Sequence, residues 1–339
     1  MKIRNLLAAL RATNPVTISR FMGDLQAVFR LHFLHAASDA GLLHALADRP
    51  SREVLLGRLG VERPEILDAL LDAGLAAGEL SCRKGHYAIR GRRARALVAD
   101  EGDPLMAMVQ ANATYYNAAY RNVAARMRGA PLGDDLAEIG DLVVRASRVG
   151  EPFLRAFVRE TMAGTSPLRI LEVGCGSGAL LRCAAEANRE AEGVGIDMDA
   201  AAVDQARRNL SEWRLADRFD VVLGDVRNLP SEVKGEFDLI TLYNIIYYFP
   251  VEDRPELVHE LRARLSAGGT LALVSTMQGG GGDPMAANLN MVTSSLNGCT
   301  PLPDLDDLLA LLDRTGFAEI RHTKLIPGSA MVGITARSL

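Results

Sequence analysis

The 339-residue sequence has no apolar run near the roughly 18 residues that cross a bilayer. It also has no CxxC pair, no Cys/His cluster, no repeat and no low-complexity tract. Each absence excludes a class. Without a long apolar run a transmembrane helix is not expected. Lys2 and Arg4 precede the apolar stretch Leu6 to Leu10, but Arg11 interrupts it before a signal-peptide core is complete. A cytoplasmic address without a membrane partner is therefore expected. The four cysteines, Cys82, Cys175, Cys183 and Cys299, are scattered, which argues against a disulfide framework or zinc site and for reduced thiols. A net charge of −4 is too mild to call for a nucleic-acid partner. What is present is the composition of a soluble globular protein, 48% hydrophobic and 24% charged, long enough for two ordinary domains.

Two periodicities divide the chain near residue 150. Up to about 165 the apolar residues recur at helical spacing, as in Leu25, Val28, Leu31, Phe33 and Leu34. Ser51 can cap a short helix that Gly60 closes, and Pro64 sits where the next helix starts and runs towards Leu75. Leu80 to Ile89 alternates around Lys84-Gly85 as a hairpin does. Helix, helix, hairpin is a winged-helix pattern, so 1–150 is expected to be a mainly helical domain of that type. From Leu168 short apolar runs alternate with amphipathic stretches: Leu168 to Val173, Gly193 to Ile196, Phe219 to Leu223, Phe237 to Tyr243 and Thr270 to Ser275. Strands alternating with helices imply an α/β domain over 151–339, Rossmann-like, with a parallel sheet covered on both faces. Glu319 to Leu325 and Met331 to Ala336, joined across Pro327-Gly328, read as a terminal antiparallel pair.

The segment Ile170 to Gly178 reads ILEVGCGSG. Gly174, Gly176 and Gly178 after an apolar strand permit a tight turn that a cofactor can approach closely. The same residues satisfy a dinucleotide fingerprint, so other residues must decide. A pyrophosphate favours a helix N-terminus and is repelled by a nearby carboxylate, and Glu172 stands two residues before the first glycine. S-adenosylmethionine has no phosphate and carries an ammonium and a sulfonium, which suits an acid there. Asp197 ends the second strand and suits ribose hydroxyls under either reading. Asp225, in the turn GDVRNLP, can accept from an adenine amino group and has no counterpart in the dinucleotide fingerprint.

These residues resemble the class I S-adenosylmethionine methyltransferases from about Leu168 to Leu339. ILEVGCGSG is similar to their first motif, GIDMD to the ribose-binding acid, LGDVRNLP to the adenine turn, FDLITLYNIIYYF to the fourth strand and LSAGGTLALVS to the fifth. The resemblance implies a seven-stranded sheet whose last strand pair is antiparallel, with S-adenosyl-L-methionine as cofactor. It places Glu172 and the glycines at the methionine end, Asp197 on the ribose, and Met198 on the adenine face. Asp225, with Val226 beside it, falls at the adenine amino group, and Tyr243 and Asn244 lie beside the methionine moiety.

The first half resembles the dimerisation domain of two-domain small-molecule O-methyltransferases of secondary metabolism, which implies a homodimer and helices that wall the acceptor pocket. Tyr115, Tyr116, Asn117 and Tyr120 suit such a wall. The hairpin is basic, with Arg83, Lys84, Arg90, Arg92, Arg93 and Arg95, which raises a DNA-binding alternative. The would-be recognition helix, however, carries Glu62, Glu65, Asp68 and Asp72 against Arg63, and phosphates would repel it. His32 and His35 lie three apart on a helix without a third ligand, so no metal is expected.

Methyl transfer from a sulfonium is an in-line displacement that mainly needs alignment and exclusion of water. In the plant-type members a histidine shortly after the fourth strand serves as base. Here NIIYYF puts Tyr247 at that position, followed by Tyr248. Tyrosine is mostly protonated at neutral pH and is a poor base. Tyr247 is therefore expected to donate a hydrogen bond or orient an acceptor, and the aromatic faces can attract the sulfonium. Between the fifth strand and the last helix, Gly279 to Gly282 opens a flexible stretch expected to cover the acceptor, with Asn288, Asn290 and Met291 as contacts. The expected reaction is methylation of a small-molecule acceptor at oxygen or carbon. Other S-adenosylmethionine chemistry and a cofactor-sensing DNA-binding regulator are the alternatives.

Overall fold

A computed structural model describes residues 14–134, 136–162, 168–279 and 282–339. The basic N-terminal stretch from Lys2 to Arg11 and the central glycines 280 and 281 lie outside the described residues. The chain forms two compact units, one of 1–117 with 141–149 and one of 118–140 with 150–339.

The first unit begins with α1 (Pro15–Asp39), whose start is capped by the side chain of Asn14. Then follow α2 (Leu42–Ala45), α3 (Arg52–Arg58), α4 (Pro64–Ala76), the strands β1 (Leu80–Arg83) and β2 (His86–Ile89), α5 (Arg92–Leu97) and α6 (Asp103–Ala111). Ser51 caps α3 through the Val54 N–H and Pro64 opens α4. Lys84 and Gly85 both take positive φ at the β1–β2 turn, the geometry that a two-residue hairpin needs. The core is built from Phe33, Leu34, Leu42, Leu43, Leu55, Leu71 and Leu80. The other side of α1 is left apolar and exposed at Val16, Ile18, Phe21, Met22, Leu25 and Phe29. A π-helical turn, Asn112–Tyr116, continues α6 into α7 (Asn117–Arg126), and α8 (Leu136–Ser147) follows.

The second unit holds α9 (Glu151–Thr161), β3 (Leu168–Val173), α10 (Ala179–Ala187), β4 (Ala191–Asp197), α11 (Ala200–Glu212), β5 (Phe219–Leu223) and β6 (Phe237–Tyr243). It continues with α12 (Arg254–Ala263), β7 (Leu265–Thr276), α13 (Pro284–Thr293), α14 (Leu305–Arg314), β8 (Phe317–Lys324) and β9 (Met331–Ser338). The strands form one sheet in the order β5-β4-β3-β6-β7-β9-β8. β5 through β7 are parallel, and β9 is antiparallel to both β7 and β8. Apolar side chains cover both faces. Leu171, Val173, Ile240, Leu242, Leu271 and Leu273 lie in one core, and Ile170, Leu239, Ala272 and Val274 in the other.

Two elements differ from the sequence expectation. β7 starts at Leu265, five residues ahead of the apolar run, because the SAGG segment continues the ladder across a register shift opposite Phe237 and Leu239. The stretch expected to be a loop over the acceptor forms α13 from Pro284 to Thr293, with the Asp283 carboxylate accepting the N–H groups of Met285 and Ala286.

Candidate functional site

The sheet order reverses between β3 and β6, since the chain steps outward through β4 and β5 and then returns to start again at β6. Ligands of open α/β sheets bind beyond the carboxyl ends of the strands at such a switch point. The two segments that leave it are the glycine loop after β3 and the turn Asn244 to Phe249 after β6.

In the loop, Gly174, Gly176 and Gly178 have φ of 70°, 52° and 76°, a region costly for any other residue type. The N–H groups of Gly174 and Cys175 both donate to the Ile196 carbonyl, at 2.8 and 3.1 Å, which folds the loop onto the end of β4. Two further glycines make room for this approach. A Cβ at Gly193 would overlap the carbonyl of Ile170, and one at Gly195 would stand 2.8 Å from the Cys175 side chain. Asp197 fixes the loop from below: one carboxylate oxygen accepts the Gly176 N–H at 2.8 Å and the other the Asp199 N–H at 3.0 Å. Each oxygen keeps a lone pair for a ribose hydroxyl.

Glu172 is 3% exposed, and the Leu181 backbone near the start of α10 favours its ionised form only weakly. Among the described residues no cationic side chain pairs with it. Burial, and then the charge of Asp197, push its carboxyl up to about 8. A buried acid without a cation, set beside a loop of open backbone, fits a cationic cofactor and not a pyrophosphate. On the same face of the sheet Tyr243 packs edge-on to Phe157 at 6.4 Å. Its hydroxyl has no hydrogen-bond partner among the described residues. Burial and then Glu172 hold that phenol well above its ordinary pKa. Tyr243 is thus a core residue beneath the loop.

The turn after β6 begins at Asn244, which adopts a left-handed φ of 59° while its N–H donates to the Val274 carbonyl at 2.7 Å. Ile245 then lies against the glycine loop, where a Cβ at Gly174 would meet its Cγ2 at 2.8 Å. Ile246–Tyr248 forms a single 3₁₀ turn. It brings Tyr247 and Tyr248, both half-buried, together with ring centroids 4.9 Å apart.

Met198 is exposed directly after Asp197. Val226 is 6% exposed and packs into the core. The Asp225 carboxylate is held by Arg227, whose Nε lies 3.1 and 3.0 Å from its two oxygens and whose Nη2 donates at 2.7 Å. This pairing keeps Asp225 below the usual carboxylate range. Sequence reasoning singled out the acid and missed its partner two residues on. Asn290 and Met291 are half-buried on α13. The Asn290 Oδ1 accepts the Leu302 N–H at 2.8 Å, so that side chain serves the local fold. Tyr115 and Tyr116 belong to the first unit, where they meet edge-on at 4.6 Å in the π-helical turn.

Residues 170–269 match the family model described as a methyltransferase domain. The demethylspheroidene O-methyltransferase of Cereibacter sphaeroides is 26% identical over 315 residues, which is 87% of this chain and 79% of that relative. The solved structure of a mitomycin 7-O-methyltransferase superposes with a TM-score of 0.80 over 98% of this chain and all of that one, at 16% identity. A methyltransferase of calicheamicin biosynthesis, solved in its S-adenosylhomocysteine-bound form, gives 0.72 over 96% and 99%, at 17% identity. The fold and the site define a class I methyltransferase. The chain carries an S-adenosylmethionine-dependent methyltransferase domain at 170–269, and its fold is similar to that of the solved O-methyltransferases over nearly its whole length.

Proposed function

We propose that the protein transfers the methyl group of S-adenosylmethionine to an oxygen atom of a small secondary metabolite. What carries this reading is the buried, cation-free Glu172 beneath the glycine loop, with the tyrosine turn lying against that loop through Ile245 and Gly174. The loop, Glu172 and Asp197 would hold the methionine end and ribose, with Met198 and Asp225 at the adenine. Arg227 must release Asp225 for the adenine amino group to be accepted. When bound, the cofactor supplies an electrophilic methyl on a sulfonium.

The protein's own part is alignment and exclusion of water. Tyr247 and Tyr248 replace a histidine base with hydroxyl donors and aromatic faces. Tyr247 would donate a hydrogen bond to the acceptor and hold its oxygen in line with the methyl group, and the rings would stabilise positive charge at sulfur. Such a site suits an acceptor whose oxygen is acidic, a phenol or an enol, because it reacts without a strong base. The O-methyltransferases among the similar proteins support oxygen over carbon. The test is incubation with methyl-labelled S-adenosylmethionine and a panel of small phenols, enols and aliphatic alcohols. Acceptor-dependent S-adenosylhomocysteine with label on oxygen is expected, and turnover that does not need an acceptor would refute the assignment.

The exposed apolar side of α1 is proposed as the contact with a second copy, making the protein a homodimer through its winged-helix-like unit. Phe21, Met22, Leu25 and Phe29 are all exposed on this one helix, and a contiguous apolar surface of that kind marks an interaction site. No helix among the described residues is long and apolar enough to cross a membrane. We further propose a cytoplasmic enzyme that does not bind nucleic acid.

A further inference from the structure

Arg254, the first residue of α12, is 6% exposed, and among the described residues no carboxylate pairs with it. Its guanidinium instead donates to neutral acceptors on two separate segments. Nε reaches the Phe249 carbonyl at 3.3 Å, and Nη2 reaches the Thr300 Oγ1 at 2.8 Å and the Pro301 carbonyl at 3.3 Å. Burial lowers its pKa from the ordinary arginine value, and the charge of Glu252 offsets only part of that effect.

Thr300 carries the linkage onward. Its N–H and its Oγ1 both lie within hydrogen-bond distance of the Tyr247 carbonyl, at 2.7 and 2.9 Å. Arginine has no acceptor lone pair, so Arg254 can only donate to the threonine hydroxyl. The hydroxyl proton is thereby left for a carbonyl, with Tyr247 nearest at 2.9 Å and Phe249 of the same turn at 3.3 Å, while the Thr300 N–H holds the Tyr247 carbonyl. The strap that contains Thr300 is tied at its far end to α13, where Asn290 accepts the Leu302 N–H at 2.8 Å. One buried cation therefore joins three parts that are distant in sequence: the tyrosine turn, the strap at 300–302 and α13. A buried charge hydrogen-bonded only to neutral acceptors is a costly way to obtain stability alone, because an apolar side chain of similar volume packs without the desolvation penalty.

We propose that Arg254 is a positioning residue, which through Thr300 fixes the Tyr247–Phe249 turn and α13 in one arrangement around the acceptor. The proposal rests on the assignment of the tyrosine turn to the acceptor site. It requires that loss of the guanidinium affects the chemical step and leaves cofactor binding alone, since Glu172, Asp197 and the glycine loop do not touch Arg254.

The test uses the full-length chain with Arg254→Met and Thr300→Val. Three quantities are read: amide hydrogen exchange over 244–249 and 297–302, S-adenosylhomocysteine binding by calorimetry, and kcat with a phenol accepted by the wild type. For Arg254→Met, exchange at the Thr300 amide is expected to accelerate about 10-fold and kcat to fall about 10-fold, the scale of a small misplacement of reacting groups. S-adenosylhomocysteine affinity should stay within about 2-fold, and millimolar methylguanidinium should restore part of the kcat of Arg254→Ala. If the arginine variants do not fold, Thr300→Val keeps the backbone donor and the volume, and about a 3-fold loss of kcat is expected. Unchanged Thr300 exchange, or a loss of S-adenosylhomocysteine affinity as large as the loss of kcat, overturns the proposal. Faster exchange with undiminished kcat overturns the placement of the tyrosine turn at the acceptor site, and the proposal falls with it.

Discussion

Glu172→Gln replaces an acid that burial has pushed up to about 8 with a neutral side chain of the same shape. In the unfolded chain this carboxyl titrates at 4.5, so between 4.5 and about 8 the folded protein binds a proton that the unfolded chain does not. The contribution of Glu172 to stability is thus full below about pH 4.5 and is lost as pH rises towards 8, by about 1.4 kcal/mol per pH unit and about 5 kcal/mol at most. The glutamine variant should lose this slope and, without cofactor, be the more stable protein at pH 8.5.

Binding runs the other way. At pH 7 the carboxyl is about nine-tenths protonated, so a cationic ligand that draws it into the ionised form should release about 0.9 of a proton. Calorimetric titration with S-adenosylmethionine in two buffers of different ionisation enthalpy counts those protons directly. Wild type should release nearly one at pH 7, and its affinity should tighten as pH rises towards 8. Glu172→Gln should release almost none and bind roughly 10- to 100-fold more weakly, the worth of a hydrogen bond to a charged group. Equal proton release by the two proteins, or equal affinity, would refute the assignment of Glu172 to the cofactor's cationic end.

Tyr247→Phe should lower kcat by about 3- to 10-fold at every pH, as removal of one hydrogen bond does, and an unchanged kcat would leave the hydroxyl without a role. Gly174→Ala combines strain at a positive φ of 70° with a clash against Ile245, and should cost about 1–3 kcal/mol in thermal unfolding and weaken S-adenosylhomocysteine binding. Arg227→Ala frees the Asp225 carboxylate and should tighten S-adenosylmethionine binding by up to about 5-fold at low salt, an exposed pair being worth at most about 1 kcal/mol. Weaker binding of that variant would assign the adenine to Arg227 instead. Phe21→Asp combined with Phe29→Asp should shift the protein to monomer in sedimentation while leaving S-adenosylhomocysteine affinity intact.

Most of the sheet was legible because its signals are local. β3 and β5 occupy the residues at which the apolar runs were read, and Asp199 and Pro64 mark helix starts by chemistry confined to one turn. The loop glycines and Asp197 were legible for the same reason. The rest depends on partners far away in sequence. Nothing near Tyr247 announces Thr300, 53 residues on, and Arg254 looks like the basic residue of an ordinary helix start. Val226 sits in an adenine-type turn, yet its side chain is core, because a turn motif does not say which of its residues faces inward. The helix from Pro284 to Thr293 was hidden by the glycines before it, although Asp283 and Pro284 are good initiation residues. Segment 118–140 groups with the second unit through pairing such as Gly133 with Leu296, which no local pattern reveals.

The reversal of strand order at β3 and β6 also divides the evolutionary freedom of the chain. Glu172 with the glycine loop, Asp197 and Asp225 lie at the ends of β3, β4 and β5, whereas the tyrosine turn, the strap and α13 follow β6 and β7. Under the proposed assignment, substitutions on the second side would reshape what is methylated and leave Glu172, Asp197 and the glycine loop in place. The two sides meet at the contact between Gly174 and Ile245, where a single added methyl group would push the tyrosine turn off the glycine loop.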